Sequence, residues 1–168
     1  MTNSSVDQVE ILQADLDNPT HCQAVVDLLN DYANHAMGRG SPLSADIHDA
    51  LIPGLRAHPT SLILLARVEQ RFVGIATCFI GFSTFNAKPL INIHDLSVSS
   101  GFRGLGLGKK LLTTVADKAR GLGCCKVTLE VREDNARARR LYTSEGFGFP
   151  GSAKEEEEVR YLYQEKWL

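Results

Sequence analysis

Apolar and polar positions recur in two rhythms along this chain, and each change of rhythm marks an element. "VEILQA" (9–14) predicts a first strand. "DNPTHCQAVVDLLNDYAN" then sets Val25, Leu28, Leu29 and Tyr32 at helical steps, with a polar cap at Asn18 and proline at the first helical position. "GRGSPL" interrupts that helix, and "SADIHDALIPGL" predicts a second, shorter one. "SLILLARV" (61–68) is apolar almost throughout, as a buried strand is. "EQR" makes a tight turn, "FVGIATCFIGF" (72–82) returns as the hairpin partner, and "LINIHDLSV" (90–98) adds a third strand after the loop "STFNAKP".

The second half returns to the helical rhythm. From Gly106 to Leu122, the residues Leu107, Leu111, Leu112, Val115, Ala116, Ala119 and Leu122 form one buried face. "CKVTLEV" (125–131) alternates Val127, Leu129 and Val131 with Lys126, Thr128 and Glu130, a strand pattern. "DNARARRLYTSEG" predicts a short helix capped by Asn135 and ended near Gly146. "EVRYLYQEKW" alternates Val159, Tyr161, Tyr163 and Trp167 as a last strand, after the charge run "KEEEE" (154–158), which reads as a solvated loop. The order β-α-α-β-β-β-α-β-α-β predicts a mixed α/β (α+β) domain spanning residues 1–168, without repeats or linkers.

Composition narrows the function. A chain of 168 residues buries a core without metal or disulfide staples, and 43% hydrophobic with 23% charged residues is ordinary for a globular protein. The net charge of −2 offers no basic field for nucleic acid. No apolar run approaches the ~18 residues of a membrane span, and "MTNSSVDQVE" carries no signal-like segment. Cys22, Cys78, Cys124 and Cys125 include no C-x-x-C pair, so reduced core thiols, no metal site and a cytoplasmic setting are expected.

The segment "SVSSGFRGLGLGKKLL" (97–112) sets Gly101, Gly104, Gly106 and Gly108 just ahead of a helix. Free amides at a helix start, backed by the macrodipole, attract anions, and glycines let a phosphate approach the backbone. Arg103 adds a permanent cation able to fork onto phosphate oxygens. The Walker pattern fails here, because Arg103 and Lys110 occupy its first glycine and its Ser/Thr positions. The dinucleotide pattern fails as well, its third glycine falling on Lys109. What remains is R-x-x-G-x-G, and a glycine-rich turn without ligand is the competing reading.

The preceding strand strengthens the ligand reading. Ile91 and Ile93 lie on one alternation phase, Leu96 and Val98 on the other, with His94 and Asp95 at the switch. Such a slip predicts a β-bulge, which bends the strand and frees backbone groups beside the cradle. A slot for an elongated ligand would then open between this strand and "CKVTLEV".

Arg103-Gly104-Leu105-Gly106-Leu107-Gly108 after "HDLSV", with "NARARRLYTSEGF" (135–147) downstream, resembles the paired motifs of the GNAT (Gcn5-related) N-acetyltransferases. The likeness extends from Val9 to about Tyr163. It implies the GNAT fold, a central mixed sheet with a splayed, bulged strand flanked by helices. It also implies acetyl-coenzyme A as co-substrate and direct acetyl transfer to an amine. Amides of Arg103, Gly104, Leu105, Gly106, Leu107, Gly108 and Lys109 would hold the pyrophosphate. Main-chain groups of Leu96 and Val98 would pair with the pantetheine arm, the Leu96 amide also facing the thioester oxygen. Asn135 would contact the pantetheine side, and Tyr142 would lie near the sulfur.

The chemistry of these residue types agrees. Asn135 and Tyr142, seven apart, share one helix face. A phenol titrating near ~10 is protonated at neutral pH and can protonate a departing thiolate of pKa ~8.5. The acceptor ammonium must first lose a proton, and His94 and Asp95 are the candidates to take it. "GFSTFNAKPLINIHDLSV" is also similar to the corresponding segment of diamine and polyamine acetyltransferases, with Asp95 matching that subgroup's aspartate and His94 replacing its glutamate. That likeness makes a homodimer compatible with the chain. The acceptor pocket is expected from "NDYANHAMGRG" and the following helix, where Asp31, His35 and Arg39 are unranked. The partner expected is a small-molecule amine. Acylation of protein amines, or acyl-coenzyme A sensing without turnover, are the alternatives, and a nucleotide phosphatase or kinase is disfavoured by the missing Ser/Thr for magnesium.

Overall fold

The computed structural model describes residues 9–148 and Lys166, so the "KEEEE" run and the last expected strand lie outside the described residues. Its elements are β1 (Val9–Gln13), α1 (Pro19–Asn34), α2 (Ala45–Ala57), β2 (Ser61–Val68), β3 (Arg71–Ser83), β4 (Lys88–Val98), α3 (Leu107–Gly121), β5 (Val127–Leu129) and α4 (Ala136–Ser144). The strands form a mixed sheet in the order β1-β2-β3-β4-β5. Pairing is antiparallel through β4 and parallel between β4 and β5, as a crossover through α3 requires.

The two faces explain why β2 is apolar at nearly every position. Leu62, Leu64 and Ala66 turn to one face, where Leu111, Leu112, Val115 and Ala119 of α3 cover them together with Ala76, Cys78, Ile91 and Ile93. Ile63 and Leu65 turn to the other, against Ala24, Val25 and Leu28 of α1, Leu55 of α2 and Ile75 of β3. Strands covered by helices on both sides lose the polar half of their alternation. Helix α1 begins where its sequence signals put it: the Asn18 side chain accepts from Thr20 N at 2.9 Å and His21 N at 3.4 Å.

The phase slip in β4 is a bulge. Thr77 of β3 stands opposite Asp95 and its neighbour Cys78 stands opposite Ile93, so His94 is the extra residue. Ile91, Ile93, Leu96 and Val98 thereby all pack toward α3. The bulge also shortens β5. Of the stretch 125–131 expected as strand, Val127–Leu129 pairs, and only with Ile91–Ile93, because beyond the bulge β4 bends away with β3.

Among the four cysteines, all free, only Cys78 is a core thiol; Cys22 and Cys124 are half-buried and Cys125 is exposed. Cys125 precedes β5, where its N–H donates to Pro89 O at 2.9 Å and the chain passes over the sheet edge. No described helix is long and apolar enough to cross a membrane. Among the described residues no cluster of His, Cys, Asp and Glu could hold a metal.

Candidate functional site

Where β4 parts from β5, a cavity of about 530 Å³ opens between β4, the start of α3 and α4. Its wall includes Leu96, Val98, Arg103, Gly104, Gly106, Leu107, Gly108, Lys109, Asn135 and Tyr142. Of the expected catalytic and donor-binding residues, Leu105, His94 and Asp95 stand outside this lining. Leu105 is 44% exposed, on the outer side of the glycine turn.

Main-chain direction along β4 is set by the bulge. Ile91 N–H donates away from β3, to Lys126 O at 3.2 Å, whereas Ser99 N–H donates toward β3, to Val73 O at 2.9 Å. Counting back by alternation from Ser99, Leu96 and Val98 present their main-chain groups to the side away from β3. Val98 O bears this out, accepting from Arg103 Nε at 2.8 Å across the cavity wall. Without the extra residue at His94, the alternation running from Ile91 would turn both into the sheet. So the bulge turns the main-chain groups of Leu96 and Val98 away from β3, Val98 O there being taken by Arg103.

The cradle at the start of α3 is built from backbone. Gly104 (φ 87°) and Gly106 (φ 77°) adopt left-handed conformations that a side chain strains. Gly106 is the N-cap of α3 and no side chain satisfies the first-turn amides. Gly108 has a different reason to be glycine: a Cβ there would lie 3.0 Å from Leu141 Cδ2, so α3 and α4 approach closely at this point. Lys109 Nζ, 2.9 Å from Glu145 Oε1, ties the same two helices. Of the two charged side chains, Lys109 is exposed, whereas Arg103 lies on Val98 O with its Nη1 3.2 Å from His35 Nε2. The Arg103 Nε is thus held by the main chain of β4, with its Nη1 turned to His35.

Helix α4 supplies the opposite wall. Asn135 caps it, its carboxamide oxygen accepting from Ala138 N at 3.1 Å. Two turns on, Tyr142 packs against the α3-side core, with its ring 5.9 Å from that of Phe147. Burial pushes the Tyr142 phenol up to about 12, and the nearby Tyr32 adds to the effect. The phenol holds its proton at any physiological pH.

His94 and Asp95 lie on the opposite face of β4 from Leu96. The His94 ring meets Phe79 edge-on at 5.8 Å, on the α1/α2 side, and Asp95 stands across from Thr77 on that side. Consecutive strand residues ordinarily face apart; here the bulge puts both on one face. His94 is exposed and Asp95 half-buried. Burial raises the Asp95 carboxyl above the usual range, opposed by the His94 charge and the Thr77 hydroxyl. Tyr32 is raised too, by burial first and the Asp95 charge second, with Arg132 opposing. Tyr32 is therefore within electrostatic reach of both Asp95 and Tyr142.

Tyr32 ends the apolar stripe of α1 and falls in the segment "NDYANHAMGRG" expected to build the acceptor pocket; it lines the cavity, although Asp31, His35 and Arg39 are the residues the sequence singles out there. Its signal was the phenol itself, the one polar tip in a stripe of aliphatic residues. His35, one of three unranked candidates, lines the cavity as well, while Asp31 and Arg39 do not. Phe102, Arg137 and Leu141 also contribute to the wall without any sequence signal beyond adjacency to the motifs.

Solved structures share this architecture. The aminoglycoside acetyltransferase AAC(6')-Iy, solved with the bisubstrate analog CoA-S-monomethyl-acetylneamine, superposes with a TM-score of 0.72 over 95% of this chain and 99% of that one, at 19% identity. Among curated proteins, the uncharacterised N-acetyltransferase YhfO of Bacillus subtilis is 32% identical over 87 residues, 52% of this chain and 58% of that protein. The thialysine N-epsilon-acetyltransferase of Bos taurus is 34% identical over 74 residues, 44% of this chain and 43% of that protein. The chain thus spans about half the length of the curated relatives it matches. The acetyltransferase (GNAT) family pattern matches residues 23–149, taking in β2 to β5, the cradle and α4 together, and on that match the chain belongs to the GNAT family.

Proposed function

We propose that this chain is an acetyl-coenzyme A-dependent N-acetyltransferase that acylates a primary amine of a small molecule by direct attack on the thioester. One observation carries the reading. A single cavity joins the glycine cradle, the unpaired end of β4 and the Tyr142 phenol, the three parts an acyl-coenzyme A donor needs in that order. The first-turn amides of α3 hold the diphosphate. Main-chain groups of Leu96 and Val98 extend the sheet onto the pantetheine arm, as an added strand would.

The amine reaches the thioester from the α1/α2 face, past Tyr32. Asp95 takes its proton, directly or through water, and a carboxyl raised by burial is better matched to that task than an ordinary one. The amine nitrogen bonds to the thioester carbon, and the Leu96 N–H stabilises the oxyanion that forms. As the C–S bond breaks, Tyr142 gives its proton to the leaving thiolate and regains one, through water, from the nitrogen that has bonded to carbon, leaving free coenzyme A and the N-acetylated amine. With Asp95 behind Tyr32, a cationic acceptor suits the entrance; the bovine relative is named for the ε-nitrogen of thialysine. The whole chain of 168 residues acts here as one catalytic domain.

The test is thiol release from acetyl-coenzyme A by purified protein across a panel of polyamines, amino acids, aminoglycosides and N-terminal peptides. Acetylated product with a small amine supports the proposal. Tight donor binding with no turnover on any amine would make this a sensor, and turnover on peptides alone would make proteins its acceptors.

A further inference from the structure

His35 ends α1 and is claimed by two donors at once. Met37 N–H donates to its Nδ1 at 3.1 Å, while Arg103 Nη1 lies 3.2 Å from its Nε2. A neutral imidazole has one acceptor nitrogen and one N–H, and a protonated ring has no acceptor. Whichever tautomer forms, one of the two contacts sets donor against donor. The Met37 contact is local to the turn after α1, two residues along the chain, and it assigns the acceptor to Nδ1. Nε2 then carries a hydrogen facing the guanidinium. Arg103 cannot turn away freely, because its Nε is bound to Val98 O at 2.8 Å. Both side chains line the cavity whose wall includes the free amides at the start of α3.

Two donors held face to face beside an anion cradle need a shared acceptor. We propose that His35 and Arg103 form a phosphate clamp, His35 Nε2–H and the Arg103 guanidinium closing together on the diphosphate of the coenzyme A donor opposite the α3 amides. The inference rests on the donor reading above. It makes His35 a binding residue for the donor although α1 lies on the acceptor side of the sheet.

The experiment is calorimetric titration of coenzyme A, dephospho-coenzyme A and pantetheine into the wild-type protein and into His35→Asn and His35→Gln. Asparagine keeps an acceptor for Met37 N–H and loses the outer donor; glutamine reaches as far as Nε2 with an amide N–H. Charge-assisted hydrogen bonds predict about a tenfold weaker affinity of His35→Asn for coenzyme A and dephospho-coenzyme A alike, with pantetheine unchanged and most of the loss restored in His35→Gln. Equal affinities in all three proteins would overturn the clamp. So would an equal loss for pantetheine, which would mark a structural role, or a loss seen with coenzyme A but not with its dephospho form, which would move the contact to the ribose phosphate. Wild-type protein that binds none of the three overturns the donor reading itself, an outcome distinct from all of these.

Discussion

Gly38 packs directly on the carbonyl of Tyr32: a Cβ at Gly38 would lie 2.1 Å from that oxygen and 3.0 Å from its carbon. The chain leaving α1 folds back over the last turn of the helix that carries Tyr32 and His35, and only glycine lets it. Gly38→Ala must move backbone against backbone. It should cost about 2–3 kcal/mol of stability and displace Tyr32 from the cavity wall, lowering turnover as well. Gly54→Ala is the comparison, a helical glycine with nothing within 4 Å of the new methyl, and should gain about 0.5–1 kcal/mol. Urea unfolding of the two variants beside the wild type reads both signs.

Tyr142→Phe removes the proton donor and leaves the ring. Turnover should drop about a hundredfold or more while donor affinity is nearly kept, since the lost interaction arises as the thiolate departs. With the phenol pushed up to about 12, the wild-type rate should show no alkaline loss from this group below pH 10. Stability follows the same shift. The folded pKa stands above the unfolded ~10, so the tyrosine's contribution is complete below pH 10 and lost as pH climbs toward about 12. Phenylalanine escapes that loss, so the variant's relative stability should rise across that window. An alkaline limb near pH 9 that vanishes in Tyr142→Phe would contradict the upward shift, and turnover unchanged in Tyr142→Phe would remove the phenol from the acid role.

Much of this was written in the sequence because its signals are local. The bulge is legible in the slip from Ile91 and Ile93 to Leu96 and Val98, since a side-chain period of two cannot change phase without an extra residue. The cradle is legible in glycines that a helix start has no other reason to collect. What resisted reading depends on contacts between distant segments. Nothing near Tyr32 in sequence says that α4 will bring Tyr142 beside it, and nothing near Arg103 says that Val98 O and His35 will claim its guanidinium. The length of β5 is hidden for the same reason: "CKVTLEV" alternates well enough for seven residues, but its pairing with β4 ends at Ile93, just before the bulge.

His94 and Asp95 should separate by pH. Burial raises the Asp95 carboxyl, so its ionised form is the costly one in the folded state, and Asp95→Asn removes that cost. The variant should be more stable than wild type at pH 7, with the difference shrinking as pH falls through the raised carboxyl toward the unfolded aspartate's ~4 and gone below it, where both forms are neutral. Turnover should fall nonetheless, since the base is gone. His94→Ala acts through its neighbour: the His94 charge holds the Asp95 carboxyl down, so its loss should move the acid limb of kcat/KM to higher pH and leave the plateau largely intact. A plateau abolished by His94→Ala with an unmoved limb in Asp95→Asn would hand the base role to His94.

The cradle glycines make the sharpest demand on conformation. Gly106 holds φ 77° with nothing within 4 Å of a would-be Cβ, so Gly106→Ala meets no protein atom and pays only for the left-handed backbone. That costs about 1–2 kcal/mol of stability. The empty space around the new methyl is the space a diphosphate needs to reach the α3 amides, so donor affinity should fall by more than the strain alone predicts, on the order of tenfold or beyond. Gly101→Ala, free of positive φ and of neighbours within 4 Å, adds a methyl to the same loop without either penalty and should leave affinity and stability near wild type. Thermal unfolding and donor titration on the pair divide strain from obstruction: a stability loss with unchanged affinity in Gly106→Ala would mean that the amides at the mouth of α3 hold no phosphate.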